Sequence, residues 1–334
     1  MEDRILLAHG SGGKLAHDLI EKNFVPVLDN PLLVPLDDSA VFKLNGRLAF
    51  TTDSYVVSPI FFPGGDIGKL AVCGTVNDLS MSGAKPLYLS LAFIIEEGLL
   101  LNDLKRIIDS IKSTAEEAGV KIITGDTKVV EHGSADKLFI NTAGIGKVPD
   151  GVFISGSNAK PGDKVILSGT IGDHGIAVLS QRQGLSFGTK LESDCAPLGQ
   201  MVAEMLEASK NIHSLRDPTR GGLATTLNEL AKQSKVGIRI EESKIPVRDE
   251  VAGACEMLGL DPLYIANEGK LIAIVAREDA EKILAATKQN RYGRNAAVIG
   301  EVIIEHPGRV VMKTLLGSSR IVDMLVGEPL PRIC

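Results

Sequence analysis

The chain's 334 residues exceed the length at which one hydrophobic core usually stops growing, so two domains are expected. A formal charge of −6 without a Lys/Arg cluster, no Trp and only 4% aromatic residues exclude the phosphate-binding stripe and stacking platforms of a nucleic-acid partner. Hydrophobic residues reach 44%, yet no apolar run attains the roughly 18 to 20 residues of a membrane span and no signal peptide opens the chain, so a soluble, cytoplasmic protein is expected.

In chain order, the loop His9-Gly10-Ser11-Gly12-Gly13-Lys14 opens a helix in which Leu15, Leu19 and Ile20 recur at helical spacing. Strand-like runs at 40–44 and 47–52 are joined by Asn45-Gly46, a tight-hairpin signal, and a third run follows at 55–57. The pattern then predicts a helix over 66–82, a strand over 86–96, a helix over 102–118 with Leu104, Ile107, Ile108 and Ile111 on one face, and strands over 120–124 and 138–148. Turn residues crowd 149–163 and the order of elements starts afresh behind them, which places a boundary near residue 155. The second half reads as a strand at 164–168, helices near 173–182, 197–209, 220–233 and 248–258, and strands at 236–241, 270–276, 296–303 and 309–313. Strands mixed with helices in both halves indicate an α+β protein. From Gly317 onward the apolar residues Ile321, Val322, Met324, Leu325 and Val326 give way to Pro329 and Pro331, the pattern of a tail that docks in part and is extended in part. The expected organisation is therefore 1–155, 156–316 and a mobile tail over 317–334.

Five constellations carry chemistry. Gly10, Gly12 and Gly13 free backbone N–H groups to converge on an oxyanion ahead of a helix, with Ser11 and Lys14 beside them, although the spacing is not that of a Walker A loop and a plain connector would look the same. Asp37, Asp38, Asp53 and Asp78 stand at element ends or, for Asp78, beside Asn77 in an otherwise apolar helix; magnesium favours carboxylate and phosphate oxygens converging from separate elements. Gly125-Asp126-Thr127-Lys128 presents a carboxylate, a hydroxyl and an ammonium on one turn. Asp217-Pro218-Thr219-Arg220-Gly221-Gly222 and Asn267-Glu268-Gly269 repeat the pattern in the second half. Each of these, taken singly, also serves as a cap or turn. The four cysteines form no C-x-x-C pair; Cys73 and Cys255 lie in apolar runs as small core residues, whereas Cys334 is the last residue and fits no core.

Together these motifs resemble the superfamily of aminoimidazole ribonucleotide synthetase, selenophosphate synthetase and thiamine-monophosphate kinase, and the terminal Pro331-Arg332-Ile333-Cys334 resembles its hydrogenase-maturation branch, HypE. The resemblance implies a two-domain PurM-like fold and a homodimer in which N-terminal-domain strands of two subunits form a shared β-barrel with ATP in clefts beside it. It further implies that a HypF-type carbamoyltransferase loads a carbamoyl group onto the Cys334 sulfur. ATP then phosphorylates the carbamoyl oxygen, phosphate leaves to give a thiocyanate, and its cyanide passes to the iron of [NiFe]-hydrogenase on a HypC–HypD complex. In that scheme Asp37, Asp38, Asp78 and Asp126 hold Mg2+, and Gly10 to Lys14, Asp53, Asn77, Thr127 and Arg220 bind ATP. Lys128 offsets charge, Glu268 takes a proton and Cys334 is the carrier.

A small-molecule kinase or synthetase of the same superfamily is the alternative enzyme. Selenophosphate synthetase is expected to carry Cys or selenocysteine beside its glycine loop, where this chain has Ser11-Gly12-Gly13, and the other two need no tail ending in Cys. A non-catalytic maturation adaptor, whose tail is only a docking peptide, is the alternative from another class.

Overall fold

The computed structural model describes residues 4–10, 13–34, 36, 39–184, 191–327, 330 and 332–334. Ser11, Gly12, Asp37, Asp38, Pro329 and Pro331, singled out above, lie outside the described residues. An irregular N-terminal helix runs from α1 (Lys14–Leu19) through a π-turn at Ile20–Phe24 into α2 (Val25–Leu28). The first half continues with β1 (Arg47–Tyr55), the short pair β2 (Phe61–Phe62) and β3 (Gly65–Asp66), α3 (Ile67–Met81), β4 (Lys85–Glu96), α4 (Leu101–Ala118), β5 (Lys121–Val130) and β6 (Leu138–Val148). The second half holds β7 (Lys164–Leu167), α5 (Asp173–Gln183), α6 (Gly199–Ala208), β8 (Ile212–Arg216), α7 (Gly222–Ser234), β9 (Gly237–Glu241) and α8 (Asp249–Leu258). It closes with β10 (Ile272–Val275), α9 (Ala280–Gln289), β11 (Ala297–Ile303), β12 (Val310–Lys313) and β13 (Ser319–Val322).

The first sheet has the order β1-β6-β4-β5, antiparallel except for β4 beside β5. Its two faces differ. Residues such as Tyr55, Thr142, Leu91 and Phe93 point under α3 and α4, whose Leu70, Val76, Leu104, Ile107 and Ile111 complete the core. The other face leaves Leu48, Phe50 and Ile94 exposed. α3 starts where Asp66 accepts hydrogen bonds from the backbone N–H groups of Gly68 and Lys69, and α4 stops at Gly119, which takes a left-handed φ of 70°.

The second sheet has the order β13-β12-β9-β11-β7-β10-β8. Alternate residues of its central strands serve opposite layers: Val165, Leu167, Ile272 and Ile274 pack with α7, while Ile166, Ala273 and Val275 pack with α6 and α9. Burial on both faces explains why these strands read as unbroken apolar runs. The architecture is thus α+β in two sheet-and-helix units, and among the described residues no helix is long and apolar enough to cross a membrane.

Several elements depart from the sequence expectation. Residues 40–45 form no strand, and Asn45-Gly46 leads into β1, whose partner is β6 some hundred residues later, in unbroken register from Arg47↔Val148 to Tyr55↔Ile140. The runs at 47–52 and 55–57 merge up to Tyr55. β8 and α9 were not anticipated. Nor was β13, which places the first part of the expected tail in the second sheet, where it pairs with β12.

Candidate active site

The site forms where the inner face of the first sheet, α3 and two loops of the second unit meet. β1 delivers Asp53 and Tyr55, whose side chains alternate with those of the exposed face and so point toward α3. α3 passes close enough that a Cβ at Gly74 would stand 2.3 Å from the Tyr55 hydroxyl, so only glycine fits there. One turn later α3 presents Asp78, whose carboxylate accepts a hydrogen bond from Thr51 Oγ1 at 3.0 Å. From the second unit come Asp217, Thr219 and Arg220 ahead of α7, and Glu268. Gly222 holds the turn into α7 at a φ of 60°.

Asn77 joins the two units. Its amide donates to the carbonyls of Ala196 and Glu268 (3.1 and 3.3 Å), and its oxygen accepts from Leu198 N–H at 2.8 Å. The Asn267-Glu268-Gly269 turn is fixed a second time by buried Asp194, which accepts from the N–H groups of Glu268 and Gly269 and pairs with Lys270 at 3.0 Å. A Cβ at Gly269 would sit 1.7 Å from the Asp194 carbonyl oxygen, so the turn demands glycine.

These residues enclose a cavity of about 40 Å³ lined by Asp53, Tyr55, Gly74, Asp78, Asp217, Thr219, Arg220, Glu268 and Cys334. The tail therefore ends inside. Ile333 is 3% exposed within the first core, and Cys334 lines the same small cavity as Glu268 and Arg220. Arg220 also faces Asp53 at 3.9 Å.

Four acids in one small space disfavour ionisation. Burial, reinforced by Asp217, Asp194 and Asp53, pushes the Glu268 carboxyl well above the usual range, and its Oε1 has no hydrogen-bond partner among the described residues. Loss of solvation, together with the neighbouring Asp78, lifts Asp217 to about 7. Asp78 is itself raised by desolvation. Burial and then the Glu268 carboxylate push the Cys334 thiol upward, against the pull of Arg220. Docked in this way, Cys334 is a protonated thiol.

The remaining anticipated residues lie elsewhere. Asp126 and Lys128 pair at 3.3 Å on β5, both well exposed. The register puts Gly125 in one row with Leu91, Thr142 and Asp53, three strand spacings or about 14 Å across the sheet, and puts Asp126 on the opposite face from Asp53. Thr127 and Gly10 line a second cavity of about 370 Å³ beneath the N-terminal helix, walled by Phe24, Leu28, Leu33 and Phe93 with His9 and His17 at its polar edge. Gly13 and Lys14 start α1 in exposed positions. Among the described residues no group of three or more His, Cys, Asp or Glu side chains is arranged to hold a metal ion. Asp217, Tyr55 and Thr219 were not anticipated as lining residues; the Asp217-Pro218-Thr219-Arg220 motif carried the signal for two of them.

Residues 36–148 match the N-terminal domain, and 160–313 the C-terminal domain, of AIR synthase related protein. The carbamoyl dehydratase HypE of Cupriavidus necator is 54% identical over 99% of this chain and 95% of that protein. A crystal structure of hydrogenase maturation protein HypE in complex with ATP is similar with a TM-score of 0.96 and 53% identity, covering 98% of this chain and 99% of that one. A HypE–HypF complex is similar with a TM-score of 0.82 and 53% identity, over 92% and 99% of the two chains. Two AIR synthase related domains in order and full-length likeness to these proteins mean that the chain belongs to the HypE family of hydrogenase maturation proteins.

Proposed function

We propose that the chain dehydrates a carbamoyl group carried on its own Cys334 sulfur to a thiocyanate, using ATP. The observation that carries this reading is the tail end seated against Glu268 and Arg220 in a cavity of about 40 Å³. Such a space accommodates about three heavy atoms beside the sulfur, judged by the volume a single water occupies on the same measure. A carbamoyl group has three.

In the overall change the carbamoyl oxygen bonds to the terminal phosphorus of ATP and ADP departs. The C–O bond then breaks with its electrons leaving on phosphate, and the nitrogen gives up two protons to become a nitrile. Arg220 stands where it would hold the carbamoyl oxygen, and Glu268, raised by burial, is a strong enough base to take a proton once ionised. Asp53 and Asp78 are the carboxylates that would hold magnesium here; one or two suffice when phosphates supply the other ligands, and the bound ion neutralises phosphate charge. The apolar 370 Å³ cavity lined by Gly10 and Thr127 is of the size and character of a nucleoside site, and ATP bound to the HypE of known structure supports a nucleotide here.

The docked thiol is a poor nucleophile, since the thiolate is the reactive form. Loading therefore takes place with the tail outside, on a HypF-type partner, a reading supported by the HypE–HypF complex of a relative. The exposed face of the first sheet, with Leu48, Phe50 and Ile94, suits a second copy of the chain, two such sheets forming a barrel. We assign the units to 1–155 and 156–316, and the segment behind them, tied to the second sheet by β13, to the carrier tail. Cyanide delivery to iron on a HypC–HypD complex in the cytoplasm completes the scheme.

The test is the mass of the C-terminal peptide after incubation with ATP, magnesium, carbamoyl phosphate and a HypF-type partner. A thiocyanate on Cys334 is expected, none with Cys334→Ala, and formation slowed by about 10²-fold or more with Glu268→Gln. A thiocyanate of normal yield in either variant would refute the corresponding assignment.

A further inference from the structure

The docked tail end is held by groups to which nothing above gives a role. Arg332 forms an ion pair with Asp136 at 2.6 Å, and its Nε donates to the Val56 carbonyl at 3.3 Å. The Arg332 carbonyl accepts from Ser58 N–H at 3.1 Å and from an Arg182 guanidinium nitrogen at 2.7 Å. The next carbonyl, that of Ile333, meets Nε2 of His174 at 2.9 Å. A carbonyl only accepts, so Nε2 carries the proton; Nδ1 is then the acceptor for the Ser193 hydroxyl at 2.8 Å, whose oxygen in turn accepts from Cys195 N–H. His174 is 0% exposed, and burial lowers its pKa, which keeps the ring neutral in this tautomer.

Asp136 is held just as deliberately. It stands in the 131–137 connection between β5 and β6, whose Gly133 and Lys137 N–H groups both bond to the carboxylate of Glu96, at 2.6 and 2.8 Å. Two features work against permanence. Arg332 takes a left-handed φ of 56°, unusual outside glycine, and its Nη2 is buried with no hydrogen-bond partner among the described residues.

We propose that Asp136, His174 and Arg182 form a latch for the chain's own last residues, a peptide site that recognises the Arg332 side chain and two main-chain carbonyls. None of these contacts touches the sulfur, so the latch holds the tail whatever the sulfur carries and sets how often the sulfur leaves. Asp136 and His174 are positioning residues: they act through the tail and not on the reacting atoms. The latch stands on geometry; that it serves dehydration rests on the function proposed above.

The test is the rate at which iodoacetamide, an uncharged reagent, alkylates Cys334 in the full-length chain, followed by the mass of the C-terminal peptide. Cys73, Cys195 and Cys255 are buried and report unfolding. Both partners of the Arg332–Asp136 pair are about two-fifths exposed, so salt raised to about 1 M should speed alkylation of the unsubstituted protein. Asp136→Asn should alkylate about two- to fivefold faster at low salt and lose that salt dependence. His174→Ala should be faster by about tenfold, with partial rescue by His174→Gln, whose amide restores a donor. If His174→Ala exposes the other cysteines, Asp136→Asn and His174→Gln decide. The latch is overturned if Asp136→Asn alkylates at the unsubstituted rate, if its salt dependence persists, or if the same acceleration follows Glu116→Gln, which breaks an exposed pair on α4. A chain that alkylates as expected yet forms no thiocyanate keeps the latch and refutes the proposed function.

Discussion

At Asp217 the cost of building this cavity becomes measurable. Its carboxyl is lifted to about 7, above the value near 4 of an unfolded aspartate, so between those values the native state binds a proton that the unfolded state has lost. Stability from this group is full below about pH 4 and falls as pH rises through 7. Asp217→Asn, uncharged throughout, is therefore expected to stabilise the protein by on the order of 1–3 kcal/mol at about pH 8 and to change little at about pH 4. Thermal unfolding at the two pH values checks this, and an equal shift at both would show that Asp217 is not desolvated. Residue types were legible in the sequence while their company was not. Asp53, Asp78, Arg220 and Glu268 announced themselves by motif, and the fold brings them to one cavity with Cys334. Asp126 belongs to a motif of the same character, yet a strand's two-residue period sends it to the other face of the sheet. Asn77 carried a motif too, but its hydrogen bonds go to the backbone of Ala196, Leu198 and Glu268.

Among elements, long periodic segments were read from the sequence to within a residue or two: α3, α4, β4 and β6 each bury a continuous stripe or alternate face. The Asn45-Gly46 hairpin failed because a turn dipeptide states only that the chain can reverse, whereas strand pairing depends on a partner far along the chain. β8 and α9 were missed for different reasons. His213 and Ser214 interrupt the apolar pattern of β8, though both side chains are satisfied inside, by Asp163 and by the Ser155 carbonyl. α9 buries only Ala280, Ile283 and Thr287, too narrow a stripe to stand out. The exposed face of β1 supports a direct test of the proposed pairing of copies: Phe50, 71% exposed, would be buried in it. Phe50→Lys should shift the protein from dimer to monomer in sedimentation without loss of helix or sheet, because an uncompensated charge is costly at the centre of an apolar interface. An unchanged mass in solution would place the interface elsewhere.

Across the whole molecule, the tail brings the sulfur of Cys334, the proposed carrier, to a docking site shared by both units. β13 anchors the segment as far as Val322, so twelve residues remain to Cys334 and their extended reach is about 40 Å. The sequence alone suggested seventeen free residues from Gly317; pairing of β13 with β12 shortens the tether. That the end rests inside, against Glu268, was not readable from composition, because Arg332 and Ile333 are recognised through their main-chain carbonyls, by Arg182 and His174 of the second unit and Ser58 N–H of the first. On the proposed function, the oxygen lost from a carbamoyl group on Cys334 leaves bound to phosphorus. The most direct measurement loads the protein with a carbamoyl group bearing heavy oxygen, adds ATP and magnesium, and follows the label by mass. Dehydration on this chain should put the heavy oxygen into inorganic phosphate while the C-terminal peptide gains the mass of a thiocyanate. Unlabelled phosphate, or a label that stays on the peptide while ATP is consumed, would contradict it.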